Sequence, residues 1–407
     1  MTRPRRGRTP WRTLLAVTLA ALLVTAEATG ADAASSPPTP APSSATTAPS
    51  PSPSPTATSA SPSSTAQVAV PIWAYYYIWF DPSSWHRAKS DSPLLGPYSS
   101  DEQRVMRRHV ELARSAGIDG FLVSWKDTPK LSSRLSRLAA VARDEKFHLG
   151  LVYQGLDFSR RPIAVEQVCR DLVTFADRYA DNPVFRLHGD RPVVVWTGTD
   201  QYTDADLERC VAPVRDRLTV LASARTVEQW QRVASIFEGN AYYWSSVNPE
   251  KSWYPGQLAR MGEAVHATGD LWVAPVAPGF DARLVGGQNV VPRNGSRTLT
   301  REMDAALNTA PDAIGLISWN EFTENSHVEP SRQYGTQALQ ALAGLTGAGS
   351  TVPHLDSSRP TASVTSGLNG VGAILVMGAL LAALLVWSRW RSAPEVKHRR
   401  RDPGPRP

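Results

Sequence analysis

Eight short apolar runs punctuate the middle of this chain, and most of them are followed by room for a helix. They cover residues 72–79, 118–125, 149–154, 193–196, 218–222, 241–244, 271–276 and 314–319. Most show no polar alternation, which is how strands covered on both faces read. Helical patterns stand between most of them. Ser100-Asp-Glu-Gln103 reads as a capping box, with Met106, Val110 and Ala113 on one face and Gly117 as the stop. Further helices are predicted over 164–179, 204–217, 227–236, 255–267 and 301–308. Strands alternating with helices argue for a parallel sheet. Eight of them in roughly 280 residues argue for an α/β fold of the (β/α)8 TIM barrel kind, here placed at 67–347. An open doubly wound sheet is the competing architecture, but no Gly-rich phosphate turn follows the first strand.

The ends read differently. A basic start, a short apolar core at Leu14 to Ala26 and the small residues ADAA predict a signal peptide over 1–34. Residues 35–66 hold only Ser, Pro, Thr, and Ala and predict an extended, disordered linker. A second linker is placed at 348–367. The uncharged run that follows predicts a transmembrane helix over 368–388, with Trp387 and Trp390 at the interface and a basic tail, 389–407, in the cytoplasm. The expected location is therefore the cell membrane, by a single C-terminal span, with the barrel outside the cell. This topology also accounts for the charge. The formal net charge is +6, yet five Arg fall in the first twelve residues and the tail has seven Lys/Arg against two acids, which leaves −4 for everything between. No nucleic-acid footprint remains in that part. For the two cysteines, Cys169 and Cys210, the residues leave a bridge and a pair of buried thiols both open.

The last apolar run carries the candidate chemistry. IGLISWNEFTENSHVEP, Ile314 to Pro330, tips from a strand straight into Glu321, Glu324 and Glu329. A spacing of three lets one helical turn present Glu321 and Glu324 on the same side. Two carboxyls at such reach are what glycosidic cleavage needs; acids after a strand also suit the first turn of a following helix. Five runs end on or near tryptophan, namely Trp79, Trp125, Trp196, Trp244 and Trp319. In a barrel those ends share the rim where active sites are built, and indole faces suit sugar rings. Two or three of the five are expected to touch ligand and the rest to pack. The eight histidines show no metal-ligand spacing. His327, six residues after Glu321, is the one near the carboxylates. No nucleophile elbow is present, and no metal or other cofactor is expected.

The Glu321 segment resembles the Trp-Asn-Glu-x-x-Glu-x-x-x-x-Glu-Pro motif of glycoside hydrolase family 99, the endo-α-mannosidases and endo-α-mannanases, without a gap through Pro330. Tyr75 to Trp85, Leu95 to Tyr98, Ala116 to Gly120, Phe185 to Pro192 and Ala277 to Asp281 are similar to other stretches of that family, in order along the chain. The resemblance implies a (β/α)8 fold and a retaining mechanism without a protein nucleophile. Glu321 would take the proton of the sugar 2-hydroxyl as it closes a 1,2-anhydro ring, and Glu324 would protonate the leaving oxygen. The substrate-contact residues are expected to be Tyr76, Trp79, Trp125, Gln154, Trp196, Tyr243, Trp244, Asp281, Trp319, Asn320, His327 and Glu329. Two positions depart from the pattern: Phe322-Thr323 replaces an aromatic-His pair, and Gln154 stands where an acid is usual. The expected activity is surface-anchored, endo-acting cleavage of an α-mannan-like polysaccharide or oligosaccharide. An α-1,3-glucanase-like hydrolase and a catalytically silent glycan-binding barrel are the alternatives.

Overall fold

The computed structural model describes residues 70–157 and 160–348. The expectations for the signal peptide, the first linker, the transmembrane helix and the tail lie outside these residues, as does nearly all of the second linker. No helix among the described residues is long and apolar enough to cross a membrane.

Eight parallel strands form one sheet: β1 (Ile72–Tyr77), β2 (Gly120–Trp125), β3 (His148–Gln154), β4 (Val193–Thr197), β5 (Thr219–Leu221), β6 (Gly239–Ala241), β7 (Leu271–Val276) and β8 (Ala313–Leu316). Their order is β5-β4-β3-β2-β1-β8-β7-β6. The first and last strands in sequence are thus neighbours in space, with Ile72 opposite Ile314. The two end strands of the sheet meet through a parallel bridge between Ala222 and Asn240. Ala222 N–H donates to Gly239 O at 2.8 Å and Ala241 N–H to Ala222 O at 2.9 Å, which closes the ring. Helices α1 (Gln103–Ser115), α2 (Pro129–Asp144), α3 (Val165–Tyr179), α4 (Asp204–Val211), α5 (Val227–Val233), α6 (Tyr254–His266), α7 (Arg297–Leu307) and α8 (Gln337–Thr346) follow the strands in turn. This is the (β/α)8 arrangement.

Several boundaries differ from the expected ones for local reasons. Ser100 does not cap α1. Its hydroxyl accepts from Phe80 N–H at 3.1 Å, and Glu102 occupies the cap position, accepting from Ser99 N–H at 2.8 Å. The helix expected over 204–217 stops at Val211 because Pro213 supplies no N–H to continue it. The apolar run 241–244 is a strand only at Ala241; the rest is the loop above β6. Helix α2 was not among the expected helices, though Thr128 accepts from Leu131 N–H at 3.3 Å and Pro129 occupies the first turn. Helix α8 was likewise unanticipated.

Side-chain parity divides the core into two layers. Trp73, Tyr75, Leu122, Val152, Val195 and Ile317 are among those filling the barrel interior. Ile72, Ala74, Tyr76, Phe121, Val123, Trp125, Val194 and Trp196 point outward and pack with the helices. On the outer layer Cys169 of α3 and Cys210 of α4 are joined as a disulfide, with Cα atoms 4.4 Å apart.

Candidate active site

The segment after β8 is a folded-back loop whose backbone is tied at each step. Ile317 N–H donates to Val276 O and Trp319 N–H to Tyr75 O, both at 2.8 Å, so the chain leaves the barrel between β7 and β1. Ser318 N–H then donates to Ser326 O at 2.9 Å, and Val328 N–H returns to Ser318 O at 2.9 Å. Between these bonds residues 322–325 make a turn that Asn325 completes with φ of 52°. The two carboxyls therefore sit on a pinned turn and not on a helix, as the spacing had implied. Glu321 N–H donates to Ser318 Oγ at 2.8 Å, and Thr323 N–H donates to Glu321 Oε1 at 2.9 Å. Asp281 N–H holds Glu324 O at 2.7 Å. Arg293 stacks over Tyr334 at 4.1 Å and donates to Asn325 O at 3.0 Å and His327 O at 2.7 Å.

Burial at the barrel mouth governs the charges. Glu321 is 5 % exposed, and its carboxyl is pushed above the usual range by desolvation, opposed by the Thr323 bonds and the positive charge of Lys89. Glu324, half-buried, is raised to about 8, by desolvation first and by the neighbouring Glu321 second, with Arg160 opposing. Tyr77 and Tyr243 share a hydroxyl–hydroxyl bond of 3.0 Å from the β1 and β6 sides. Burial, and after it the negative charge of the two glutamates, keeps the Tyr77 phenol protonated; Tyr243 feels both carboxyls too. Two donors thus stand in the field of two carboxyls.

The expected contact residues separate into three groups. Trp79 (37 % exposed) stands on the rim, stacked on Tyr77 at 4.4 Å; Tyr243 and Trp244 line a cavity with Glu324; and Gln154 lies at the mouth, donating to Ser124 Oγ at 3.2 Å. A second group braces the turn from behind. Asn320 accepts from Tyr77 N–H at 2.8 Å and donates to Tyr77 O at 3.0 Å, clamping the loop to β1. Glu329 accepts from Tyr98 Oη at 2.8 Å and pairs with His109 Nε2 at 3.1 Å, while Tyr76 Oη meets His109 Nδ1 at 3.0 Å. A proton on Nε2 satisfies that whole set. Buried His327 stacks on Phe322 at 4.2 Å, 3.6 Å from Asp91; its pKa is lowered to about 4, chiefly by desolvation. The third group is turned away from the mouth. Trp125 donates to Ser132 Oγ on α2, Trp196 packs on Tyr202, and Trp319 packs between His109 and Phe121; all three are fully buried in the outer layer. Asp281 is engaged by Arg283 in a bidentate pair. Tyr76, Trp125, Trp196, Trp319, Asn320, Asp281, His327 and Glu329 are thus engaged in packing, bracing or ion pairing within the protein.

A cavity of about 330 Å³ opens on the Glu324 side, between the loops after β5 and β6, and its lining includes Arg225, Tyr243, Trp244, Trp253, Phe280 and Glu324. Sequence reasoning missed Tyr77, Lys89, Arg225 and Trp253. Of these, Tyr77 had a signal, since it shares the inward parity of Trp73 and Tyr75.

A closed ring of parallel strands with two desolvated carboxyls on a pinned turn at its C-terminal rim, beside an aromatic-walled cavity, defines a hydrolase of glycosidic bonds. Residues 95–344 match the family model of glycosyl hydrolase family 71, and the chain belongs to that family. Among solved structures it is similar to the family 99 endo-α-mannosidase of Bacteroides thetaiotaomicron in complex with bis-tris-propane, with a TM-score of 0.60, 17 % identity and coverage of 68 % of this chain and 96 % of that one. A second structure of the Bacteroides thetaiotaomicron enzyme gives a TM-score of 0.59, 16 % identity and the same coverage. A glycoside hydrolase-like protein gives 0.56 and 16 %, covering 68 % and 94 %. At these identities the likeness is one of fold. No curated protein matches the chain in sequence. The resemblance to family 99 alone therefore broadens to a glycoside hydrolase of the family 71 and 99 kind.

Proposed function

We propose that this enzyme is an endo-acting, retaining hydrolase of α-linked, α-mannan-like polysaccharide, anchored at the cell surface. The observation that supports it most is the carboxyl pair: Glu321 and Glu324 three residues apart on one turn, both raised by burial, with Glu324 facing the cavity. In the first step the Glu321 carboxylate removes the 2-hydroxyl proton, O2 forms a bond to C1, and the bond from C1 to the leaving oxygen breaks as Glu324 protonates that oxygen. In the second, Glu324, now a carboxylate, takes a proton from water as the water oxygen attacks C1. The C1–O2 bond opens and Glu321 returns its proton to O2. The positive charge near Glu321 supports the ionised form a base needs, and the desolvation and like charge around Glu324 support the protonated form an acid needs. Reducing-end release from α-mannan and α-1,3-glucan panels tests the reading. Release from neither would end the enzymatic assignment to α-glycans, and release of single sugars from chain ends would end the endo assignment.

A second substrate reading, α-1,3-glucan, is favoured by Phe322, which is buried against His327, and by the uncharged Gln154. Surface anchoring rests on the sequence pattern of the ends and on a disulfide suited to an exported domain. Protease added to intact cells should remove the barrel and spare an epitope on the tail; loss of the tail epitope with the membrane intact would reverse the orientation.

A further inference from the structure

The cavity beside Glu324 holds a cation that the reaction above does not use. Arg225 follows β5 on the rim, its backbone N–H donating to Gln229 Oε1 at 2.8 Å, and it lines the cavity. Arg191, Arg215 and Arg232 nearby in the chain are paired with Glu238, Glu208 and Asp204. Among the described residues no carboxylate stands in ion-pair range of Arg225. The charges that shift the Glu324 carboxyl are those of Glu321 and Arg160. Trp253, 49 % exposed, and Trp244, with ring centroids 6.0 Å apart, give the same cavity aromatic walls, while Ser245, Ser246 and Gln229 add polar atoms.

A half-buried guanidinium without an acidic partner, beside an exposed indole, matches a sugar ring bearing an oxyanion. The fork of N–H groups takes carboxylate or phosphate oxygens two at a time, and the indole takes the ring face. Glu324 lines this cavity and Glu321 does not, so the occupant lies on the side of the leaving group. We infer that the cavity is a leaving-group-side subsite for an acidic sugar residue, whose carboxylate or phosphate ester pairs with Arg225 while its ring lies against Trp253. The side assignment rests on Glu324 being the acid of the proposed reaction. While Glu324 holds its proton it puts no negative charge against such a group.

Titration calorimetry with oligosaccharides of matched length tests this, comparing a neutral set, a set bearing a uronic acid on the reducing-end side and a set bearing a phosphomonoester there. One acidic set should bind the wild type about tenfold more tightly than the neutral set, the difference shrinking as salt is raised. Which set does so separates carboxylate from phosphate. Arg225→Gln should bring acidic and neutral sets to within about twofold of each other, and Arg225→Lys should keep part of the preference as a point charge without the fork. Equal or weaker binding of both acidic sets by the wild type, or no binding of either, overturns the inference; so does an acidic preference that survives in Arg225→Gln. Cleavage is scored separately. A protein that prefers acidic glycans but cleaves none would remove the proposed reaction and leave this site standing. One that cleaves neutral glycans without discrimination would do the reverse.

Discussion

Glu321 and Glu324 differ less in position than in what surrounds them, and the proposed roles follow from that difference. Glu324→Gln should lower kcat/KM on natural glycans by about 10²–10⁴-fold, the usual worth of a general acid. It should spare turnover of substrates whose leaving group is an activated phenol and needs no proton. Glu321→Gln should fail on both, because forming the anhydro ring needs the base whatever leaves. Matched rates for wild type and both variants would end the paired-carboxyl reading. The pH profile carries the same logic with a definite sign. Glu321 works ionised, so activity rises with pH through its raised pKa; Glu324 works protonated, so activity falls as pH climbs through about 8. Lys89→Met removes a charge that favours ionised Glu321, so the ascending limb should move to higher pH while the descending limb stays. A limb that did not move would leave Lys89 without influence on the base. The two acids were legible as residues because Trp-Asn-Glu after an apolar run is an odd connection. Their cations were not, since Lys89 and Arg160 lie far away in the chain and only folding brings them to the rim.

At the scale of the element, the loop after β8 is stiff because a buried polar set stands behind it. Glu329, Tyr98, His109 and Tyr76 connect α1 and β1 to the loop, and Asn320 clamps it to β1. His109→Leu would leave the Glu329 carboxylate buried with one donor fewer, and the expected cost is roughly 3–5 kcal/mol. Glu329→Gln keeps one acceptor oxygen and turns an amide NH2 to the other neighbour, whose hydroxyl or ring nitrogen can accept it, and should cost less, about 1–2 kcal/mol. Urea unfolding of the two variants measures this; equal losses would mean that packing and not charge satisfaction decides. The same parity that buries Tyr76 against His109 sends Trp125 and Trp196 outward. Strands covered on both faces are apolar at every position, so nothing in 118–125 or 193–196 says which face looks into the barrel. Element type and order were therefore readable, as was the rim, whereas the direction of each tryptophan was not. Helix α2 was readable after the fact from Thr128-Pro129, a cap followed by a first-turn proline.

For the whole molecule, the weakest part of the ring and its one covalent tie sit close in sequence but brace different things. Strands β5 and β6, each three residues long, are joined by the bridge at Ala222 and Asn240 and by Glu238 N–H donating to Val220 O at 3.0 Å, whereas β2 and β3 pair over six positions. A seam with few ladder bonds is where a barrel opens first. The Cys169–Cys210 disulfide ties α3 to α4 across 41 residues of chain and does not span that seam. Closing a loop of that length removes unfolded-state entropy worth about 4 kcal/mol. Reduction, or Cys169→Ala with Cys210→Ala, should therefore lower the urea midpoint by the amount that about 4 kcal/mol and the measured m-value dictate. Native-state hydrogen exchange separates the two effects. The amides of Ala222, Glu238 and Ala241, which make the seam bonds, should exchange early and at the same rate in oxidised and reduced protein, because their opening does not pass through unfolding of α3 and α4. Amides that exchange only by global unfolding should speed up on reduction. If the seam amides accelerated along with them, the disulfide would be holding the ring shut, and the barrel would open as one cooperative unit.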